Sequence, residues 1–251
     1  MEIDTLVEEV VRREPKIVSV IGAGLSKASG MPTFRGEDGL WKQYRAEDLA
    51  NPYAFAKDPK LVWEWYRFRM RIVLKAEPNP AHHALKLLEE NNLALGLITQ
   101  NVDGLHEIAA IRKFVEIHGR IRYARCTKCN HSERWDDEEK AKENIELPNC
   151  PKCKDSILRP DVVWFGETLD PHKWEQAIKW TSQANVLLVI GTSGVVHPVA
   201  SLPWYAKQNN SLLIEFNIEE TPVSSICDFS VFGPCEDTLP KFTDKLIKKL
   251  G

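Results

Sequence analysis

Four apolar runs in this chain each stop abruptly at a cluster of glycines or small polar residues, and that repeated ending restricts the architecture. Ile17–Ile21 runs into Gly22-Ala23-Gly24, and Leu93–Thr99 into Gln100-Asn101-Val102-Asp103. Lys113–Ile117 runs into His118-Gly119, and Asn185–Ile190 into Gly191-Thr192-Ser193-Gly194. Short, continuous, β-branched runs of this kind read as strands buried on both faces, as in a parallel sheet. Helical patterns at 4–14, 81–90, 171–183, 199–209 and from Leu239 onward alternate with them, and further strands are expected at 211–217 and 229–232. The expected fold class is α/β, a Rossmann-like parallel sheet with helices on both faces. Ligands of such sheets collect at the C-terminal strand ends, where the polar clusters fall.

The first of these ends has half of a dinucleotide-binding fingerprint. Gly22-Ala23-Gly24 allows a tight turn, and its exposed backbone N–H groups at a helix start suit a pyrophosphate. The usual third small residue is replaced by Lys27, and Gly30 and Pro32 cut any helix short within about two turns. No acidic strand end follows about 20 residues later to hold a ribose. The loop points to a nucleotide but away from an ordinary dehydrogenase.

Two segments interrupt the alternation. Residues 37–78 are Trp-rich and helical in pattern, and Asp58-Pro59 reads as an N-cap followed by proline at the first helical position. At about 100° per residue, Val62, Trp63, Tyr66, Met70 and Val73 form one apolar stripe, with Lys60, Glu64, Arg67 and Arg71 opposite as a solvated face. Arg69 lies inside the stripe, one turn from Tyr66. Either its head snorkels to water or it marks an anion site. The second segment, 119–159, carries Cys126-x-x-Cys129 and, twenty residues on, Cys150-x-x-Cys153. This spacing makes a tetrahedral thiolate zinc site with no coordination position left for substrate, so its role is structural. Arg120, Arg122, Arg125 and Lys128 make the flank basic, and a solvated face is expected there.

Composition excludes several classes. The 251 residues carry a net charge of −3, which gives no field to recruit nucleic acid or anionic membrane. No apolar run approaches the ~20 residues of a membrane span, and Met1-Glu2-Ile3-Asp4 lacks a signal-peptide profile. Six cysteines in such a chain suit a reducing compartment, so a cytoplasmic location is expected.

The ordered motifs resemble the sirtuin family of NAD-dependent protein deacylases. They are Gly22-Ala23-Gly24-Leu25-Ser26 with Ser29-Gly30-Met31-Pro32-Thr33-Phe34-Arg35, Thr99 to His106, Glu116-Ile117-His118-Gly119, the four cysteines, Val162 to Glu167, Gly191-Thr192-Ser193, and Asn217. The resemblance implies a Rossmann-type NAD-binding domain from residues 1–36, 79–118 and 160–251. It also implies a small domain made of a helical module (37–78) and a zinc module (119–159). NAD is implied as a consumed co-substrate, beside one structural Zn2+. The carbonyl oxygen of an acylated lysine attacks the ribose carbon bearing nicotinamide, and His118 acts as general base. The products are nicotinamide, O-acyl-ADP-ribose and free lysine. The scaffold also leaves open protein ADP-ribosylation, and the zinc segment by itself a nucleic-acid-binding module.

Carried over by position, the implied cofactor-binding residues are Gly22, Ala23, Gly24, Ser26, Phe34, Arg35, Gln100, Asn101, Asp103, Gly191, Thr192, Ser193, Asn217, Glu219 and Cys235. Val163 and Phe165 resemble the acyl-lysine tunnel. Segments 165–167 and 195–198 resemble two edges between which a substrate peptide adds as a strand. No membrane or direct nucleic-acid partner is expected. Tyr66-x-x-Arg69, with Ala46, resembles the subclass found in prokaryotes and elsewhere that removes succinyl and malonyl groups. An Arg beside a Tyr hydroxyl suits a carboxylate at the tunnel's end. The chain departs from the family pattern at Lys27 and at Ala110-Ile111, where Gly-Ser is usual.

Overall fold

Every apolar run becomes a strand, and the three central ones are buried along their whole length. The structure is a computed structural model that describes residues 3–32, 46–143 and 146–251. Strands β1 (Ile17–Ile21), β2 (Ala94–Thr99), β3 (Phe114–Glu116), β7 (Val186–Ile190), β8 (Leu212–Asn217) and β9 (Phe229–Phe232) form one sheet in the order β3-β2-β1-β7-β8-β9, parallel throughout. The chain builds outward from β1 to β3, then returns to add β7 on the other side of β1. The C-terminal ends of β1 and β7 are therefore the switch point of the sheet, where ligands of such folds bind.

Alternate residues of each strand serve opposite layers. Ile17, Ile21, Leu188, Ile190, Ile214 and Phe216 pack against helices α1 (Ile3–Val11), α5 (Pro80–Glu90) and α9 (Cys235–Leu250). Val18, Val20, Ile98, Leu187, Val189 and Leu213 pack against α7 (Pro171–Gln183) and α8 (Leu202–Gln208). Both faces are covered, which is why the strands show no polar alternation.

Three helix boundaries differ from expectation. Helix α1 ends at Val11, and Glu14, just before Pro15, takes a positive φ of 49°. The segment expected as helix 199–209 divides into a 3-10 turn, Val199–Ser201, and α8. Helix α9 starts at Cys235 and carries Pro240 inside it, with Glu236 and Asp237 in the first turn complementing the helix dipole.

The second region is a three-stranded antiparallel sheet, β5-β4-β6, from β4 (Gly119–Cys126), β5 (Ser132–Arg134) and β6 (Leu158–Val162). Helices α2 (Ala46–Leu49), α3 (Pro52–Lys57) and α4 (Pro59–Val73) pack on it, and α6 (Leu105–Ile108) precedes β3. Asp58 caps α4 as expected, its carboxylate accepting Leu61 N–H at 3.0 Å. Strand β6 pairs with β4, so the small sheet runs three residues past the boundary expected at 159. The chain leaving the second cysteine pair returns along the strand that led to the first. Pro160 is tolerated because β6 is an edge strand.

Candidate active site

The strand ends meet through backbone alone. Gly22 N–H donates to Ile190 O at 3.0 Å and Gly24 N–H to Gly191 O at 2.8 Å. A Cβ on Gly22 would lie 2.8 Å from Gly191 O, and one on Gly24 2.8 Å from Gly191 Cα. Gly191 has φ +56°, and its Cβ would lie 2.4 Å from Leu25 N. The glycines thus let the ends of β1 and β7 touch. This corrects one expectation: the N–H groups of Gly22 and Gly24 are bonded across the sheet instead of being exposed to a phosphate. The chain then winds into a short 3-10 helix, Ala23–Ser29, closed by Gly30 in the left-handed region.

A web of amides links this helix to the other strand ends. Asn101 Nδ2 donates to Gly22 O (3.0 Å) and Ser26 Oγ (3.1 Å). Gln100 Nε2 donates to Thr192 Oγ1 (2.9 Å), and Asn217 Nδ2 to Thr192 O (2.9 Å). Buried Asp103 accepts Leu105 N–H at 3.0 Å and so opens α6. Gly22, Gly24, Ser26, Gln100, Asn101, Gly191, Thr192 and Asn217 are thus brought together. Ala23 and Ser193 flank them, half-buried. Glu219 is exposed beyond β8, outside this web, and Cys235 opens α9 with its thiol 3.7 Å from Phe216 O. Phe34 and Arg35 lie outside the described residues.

Sequence reasoning missed Asn79. Its amide donates to Leu25 O (2.8 Å) and Ser29 Oγ (3.0 Å) while its carbonyl accepts Ala81 N–H, capping α5. The Asn-Pro pair before an apolar periodic segment was the available cue.

His118 sits at the end of β3, half-buried. Its Nδ1 lies 3.3 Å from Gln100 O, so Nδ1 carries the proton and Nε2 is left as the basic nitrogen. Burial pushes its pKa below the usual histidine value, against a smaller raising effect from Gln100 O. The ring is therefore neutral near pH 7. His118 O accepts Val163 N–H at 2.9 Å, which joins the end of the parallel sheet to the segment after β6. Val163 is half-buried, and Phe165 is 44% exposed with its N–H on Ala50 O at 2.9 Å. Val195 and Val196 are exposed on the opposite segment.

On α4, Tyr66 is buried and accepts a hydrogen bond from Trp164 Nε1 at 2.9 Å. Arg69 is half-buried, its guanidinium carbon 4.7 Å from the Trp65 ring centroid and 5.9 Å from that of Tyr66. Burial pulls the Arg69 pKa down, with Tyr66 and Asp103 opposing it. On the face expected to be solvated, Lys60 is exposed and Glu64 half-buried, but the two arginines are engaged. Arg67, 2% exposed, donates to Glu146 O at 2.9 Å, and Arg71 to Ala141 O at 2.9 Å and Glu143 at 2.6 Å. Arg122, on the flank also expected to be solvated, is 8% exposed. It donates to Asp103 O (2.8 Å), Val73 O (3.2 Å) and Asp136 (3.4 Å).

The four cysteine sulfurs lie within 4.8 Å of one another, with Cys126–Cys153 at 3.8 Å and Cys129–Cys150 at 3.7 Å. Tetrahedral zinc with bonds of about 2.3 Å separates its sulfurs by about 3.8 Å, so the cluster fits one such ion. The N–H groups of Lys128 and Cys129 point to Cys126 Sγ at 3.3 Å each, which suits a thiolate.

Comparison with known proteins decides the family, because the Sir2 family profile matches residues 22–198. The chain belongs to the Sir2 family. A relative from Pyrococcus abyssi named NAD-dependent protein deacylase is 45% identical over 97% of this chain and 98% of its own. Among solved structures, a Sir2 homolog–NAD complex matches with TM-score 0.93 at 45% identity, covering 99% of this chain and 95% of that one. A mutant Sir2 homologue with 2′-O-acetyl ADP ribose matches with TM-score 0.93 at 46% identity, covering 100% and 98%. In this Sir2 protein the matched segment holds the glycine contact, His118 and all four cysteines, while Asn217, Glu219 and Cys235 lie beyond it.

Proposed function

We propose that this Sir2 protein is an NAD-dependent protein-lysine deacylase with His118 as its general base. The observation that carries the reading is His118 itself, a neutral imidazole at a strand end with Nδ1 engaged by Gln100 O. Nε2 is the atom that accepts a proton. NAD, when bound, supplies a ribose carbon whose bond to nicotinamide breaks as the acyl oxygen arrives. The residues that would hold it are the Gly22–Ser26 turn with Phe34 and Arg35, then Gln100, Asn101 and Asp103, then Gly191, Thr192 and Ser193. Asn217, Glu219 and the Cys235 backbone would serve the adenine end. The glycine contact between β1 and β7 supports this, because it brings the backbones of the two strand ends together with no Cβ between them.

In this reading residues 1–36, 79–118 and 163–251 form the NAD-binding domain, and the helical and zinc modules form the small one. Val163 and Phe165 line the acyl-lysine passage, and the exposed segments at 165–167 and 195–198 receive a substrate peptide as an added strand. Tyr66 and Arg69, with Ala46 on α2, allow succinyl and malonyl groups to be removed as well as acetyl, or better. A cation beside a buried hydroxyl on an otherwise apolar helix face favours those groups. The thiol set suits a cytoplasmic location. Among the described residues no helix is long and apolar enough to cross a membrane.

The test is turnover on matched acetyl-, malonyl- and succinyl-lysine peptides with NAD, products identified by mass spectrometry. O-acyl-ADP-ribose is expected, and ADP-ribosylated protein in its place would overturn the reading. His118→Ala should lower kcat by about 10²–10⁴-fold. The acid limb of the wild-type kcat/KM profile should lie below pH 6.5, because the lowered pKa keeps the base neutral further into acid.

A further inference from the structure

Among the described residues the Tyr66 hydroxyl has one hydrogen-bond partner, and that partner can only donate. An indole N–H has no acceptor capacity, so Trp164 Nε1 at 2.9 Å commits the phenol oxygen as acceptor. The phenol proton must then point elsewhere, and among the described residues no group accepts it. The hydroxyl stays protonated, since burial pushes its pKa up to about 12 despite the opposing Arg69 charge. A buried donor with no acceptor is costly and is a position for a ligand to fill.

Trp164 cannot turn away from this duty. The Arg159 guanidinium carbon stacks 3.3 Å from its ring centroid, and the Phe55 ring packs at 5.1 Å. Arg159 is clamped by Glu167 through contacts of 2.5 and 2.9 Å, and the same Glu167 carboxylate accepts Trp164 N–H at 2.8 Å. The indole is held from both its face and its backbone.

We propose that Trp164 is a specificity-determining positioning residue that makes the Tyr66 hydroxyl an obligate donor toward the acyl end of the substrate. The inference rests on the deacylase reading and on its acidic-acyl part. A succinyl or malonyl carboxylate offers acceptor oxygens both to that proton and to the Arg69 guanidinium. An acetyl methyl offers none, and leaves the buried proton unmet.

The experiment removes the indole N–H without removing the ring, by placing 3-benzothienylalanine site-specifically at position 164 of the full chain. The readout is kcat/KM on succinyl- and acetyl-lysine peptides of one sequence, with Trp164→Phe in parallel. The succinyl-to-acetyl ratio should fall about fivefold to tenfold in the analogue protein. In a Tyr66→Phe background the same replacement should change the ratio by less than about twofold, because the hydroxyl it orients is gone. An unchanged ratio overturns the proposal, as does an equal fall in the Tyr66→Phe background, which would assign the effect to packing. A folding defect in Trp164→Phe leaves the analogue, which preserves the ring's shape, to decide. Wild-type protein that removes acetyl but not succinyl overturns the acidic-acyl reading and this inference with it, and no turnover on any peptide overturns the deacylase reading itself.

Discussion

Strands β1, β7 and β8 bury every residue between helices on both faces, whereas the sheet β5-β4-β6 ends in an edge strand and closes around four thiols. In the first region stability is spread over dozens of apolar side chains, each worth about 1.5–3 kcal/mol when buried. The second has an apolar core of its own, around Trp63, Trp65, Trp135 and Trp164, and a few point contacts tie its helices to the cysteine-bearing strands. Beside the cysteine cluster, they are Arg67 and Arg71 on the carbonyls of Glu146 and Ala141, and Trp63 Nε1 on Leu158 O at 2.9 Å. Damage to the first region should be graded, and damage to the second nearly all-or-none.

Metal removal is the largest expected effect. Structural zinc contributes on the order of 10 kcal/mol to folding of the elements that hold it. Chelation, or Cys150→Ser, should therefore unfold the small region while the parallel sheet persists. Four of the eight tryptophans, Trp63, Trp65, Trp135 and Trp164, belong to the small core and three, Trp174, Trp180 and Trp204, to α7 and α8, so fluorescence is weighted toward the small region. Two separate thermal transitions are expected, the lower one seen by fluorescence and moved by zinc. A single coincident transition by fluorescence and far-ultraviolet circular dichroism would erase the distinction.

Arg122 is the sharper probe because it crosses between the regions. One side chain on β4 reaches the carbonyl of Asp103, in the loop after β2, together with Val73 O at the end of α4 and Asp136 near β5. Gly104, beside it, has φ +75°, and a Cβ there would lie 2.9 Å from the Arg122 side chain. Arg122→Met keeps much of the stem volume and removes all three contacts. It should cost about 1–3 kcal/mol in the small-region transition. It should also raise KM for NAD more than it lowers kcat, because it frees the loop that carries Gln100, Asn101 and Asp103. Restoration by Arg122→Lys should be partial, since an ammonium cannot reproduce the planar fork. A loss of stability with an unaltered KM would confine Arg122 to the small region.

The same contrast governs what could be read from the chain. The buried strands and the cysteine site rest on local pattern and spacing, and the structure gives them to within a few residues. Periodicity also found the apolar stripe of α4. It could not say what the arginines of the other face meet, because Arg67 and Arg71 reach carbonyls 79 and 70 residues later in the chain. Arg122 was misjudged for the same reason. A long cationic side chain reads as solvated until a carbonyl from another element arrives. The glycine N–H groups were misassigned because a glycine pair can serve a ligand or a neighbouring backbone, and only the strand order decides which. Lys27 is exposed on the turn, and nothing in the structure explains it.

The smallest expected effect sets one substitution in both regions. Ala110 has φ +61°, and Lys154, which follows the last of the four clustered cysteines, has φ +57°. A side chain in the left-handed region costs roughly 1–2 kcal/mol, part of which glycine gives back as chain entropy. Ala110→Gly should therefore raise the stability of the parallel-sheet transition by about 0.5–1 kcal/mol, whether or not metal is present. At Lys154 the N–H donates to Cys150 O at 3.0 Å, inside the turn that a zinc ion would close. Lys154→Gly should leave the parallel-sheet transition unmoved and tighten zinc binding by a comparable energy, about twofold to fivefold in competition with a chelator. Relief at Ala110 would show as a thermal shift and relief at Lys154 as a change in metal affinity. A zinc-independent shift from Lys154→Gly would mean that the turn is held by the sheet instead of by the thiolates, and the contrast between the two regions would fail at its most local point.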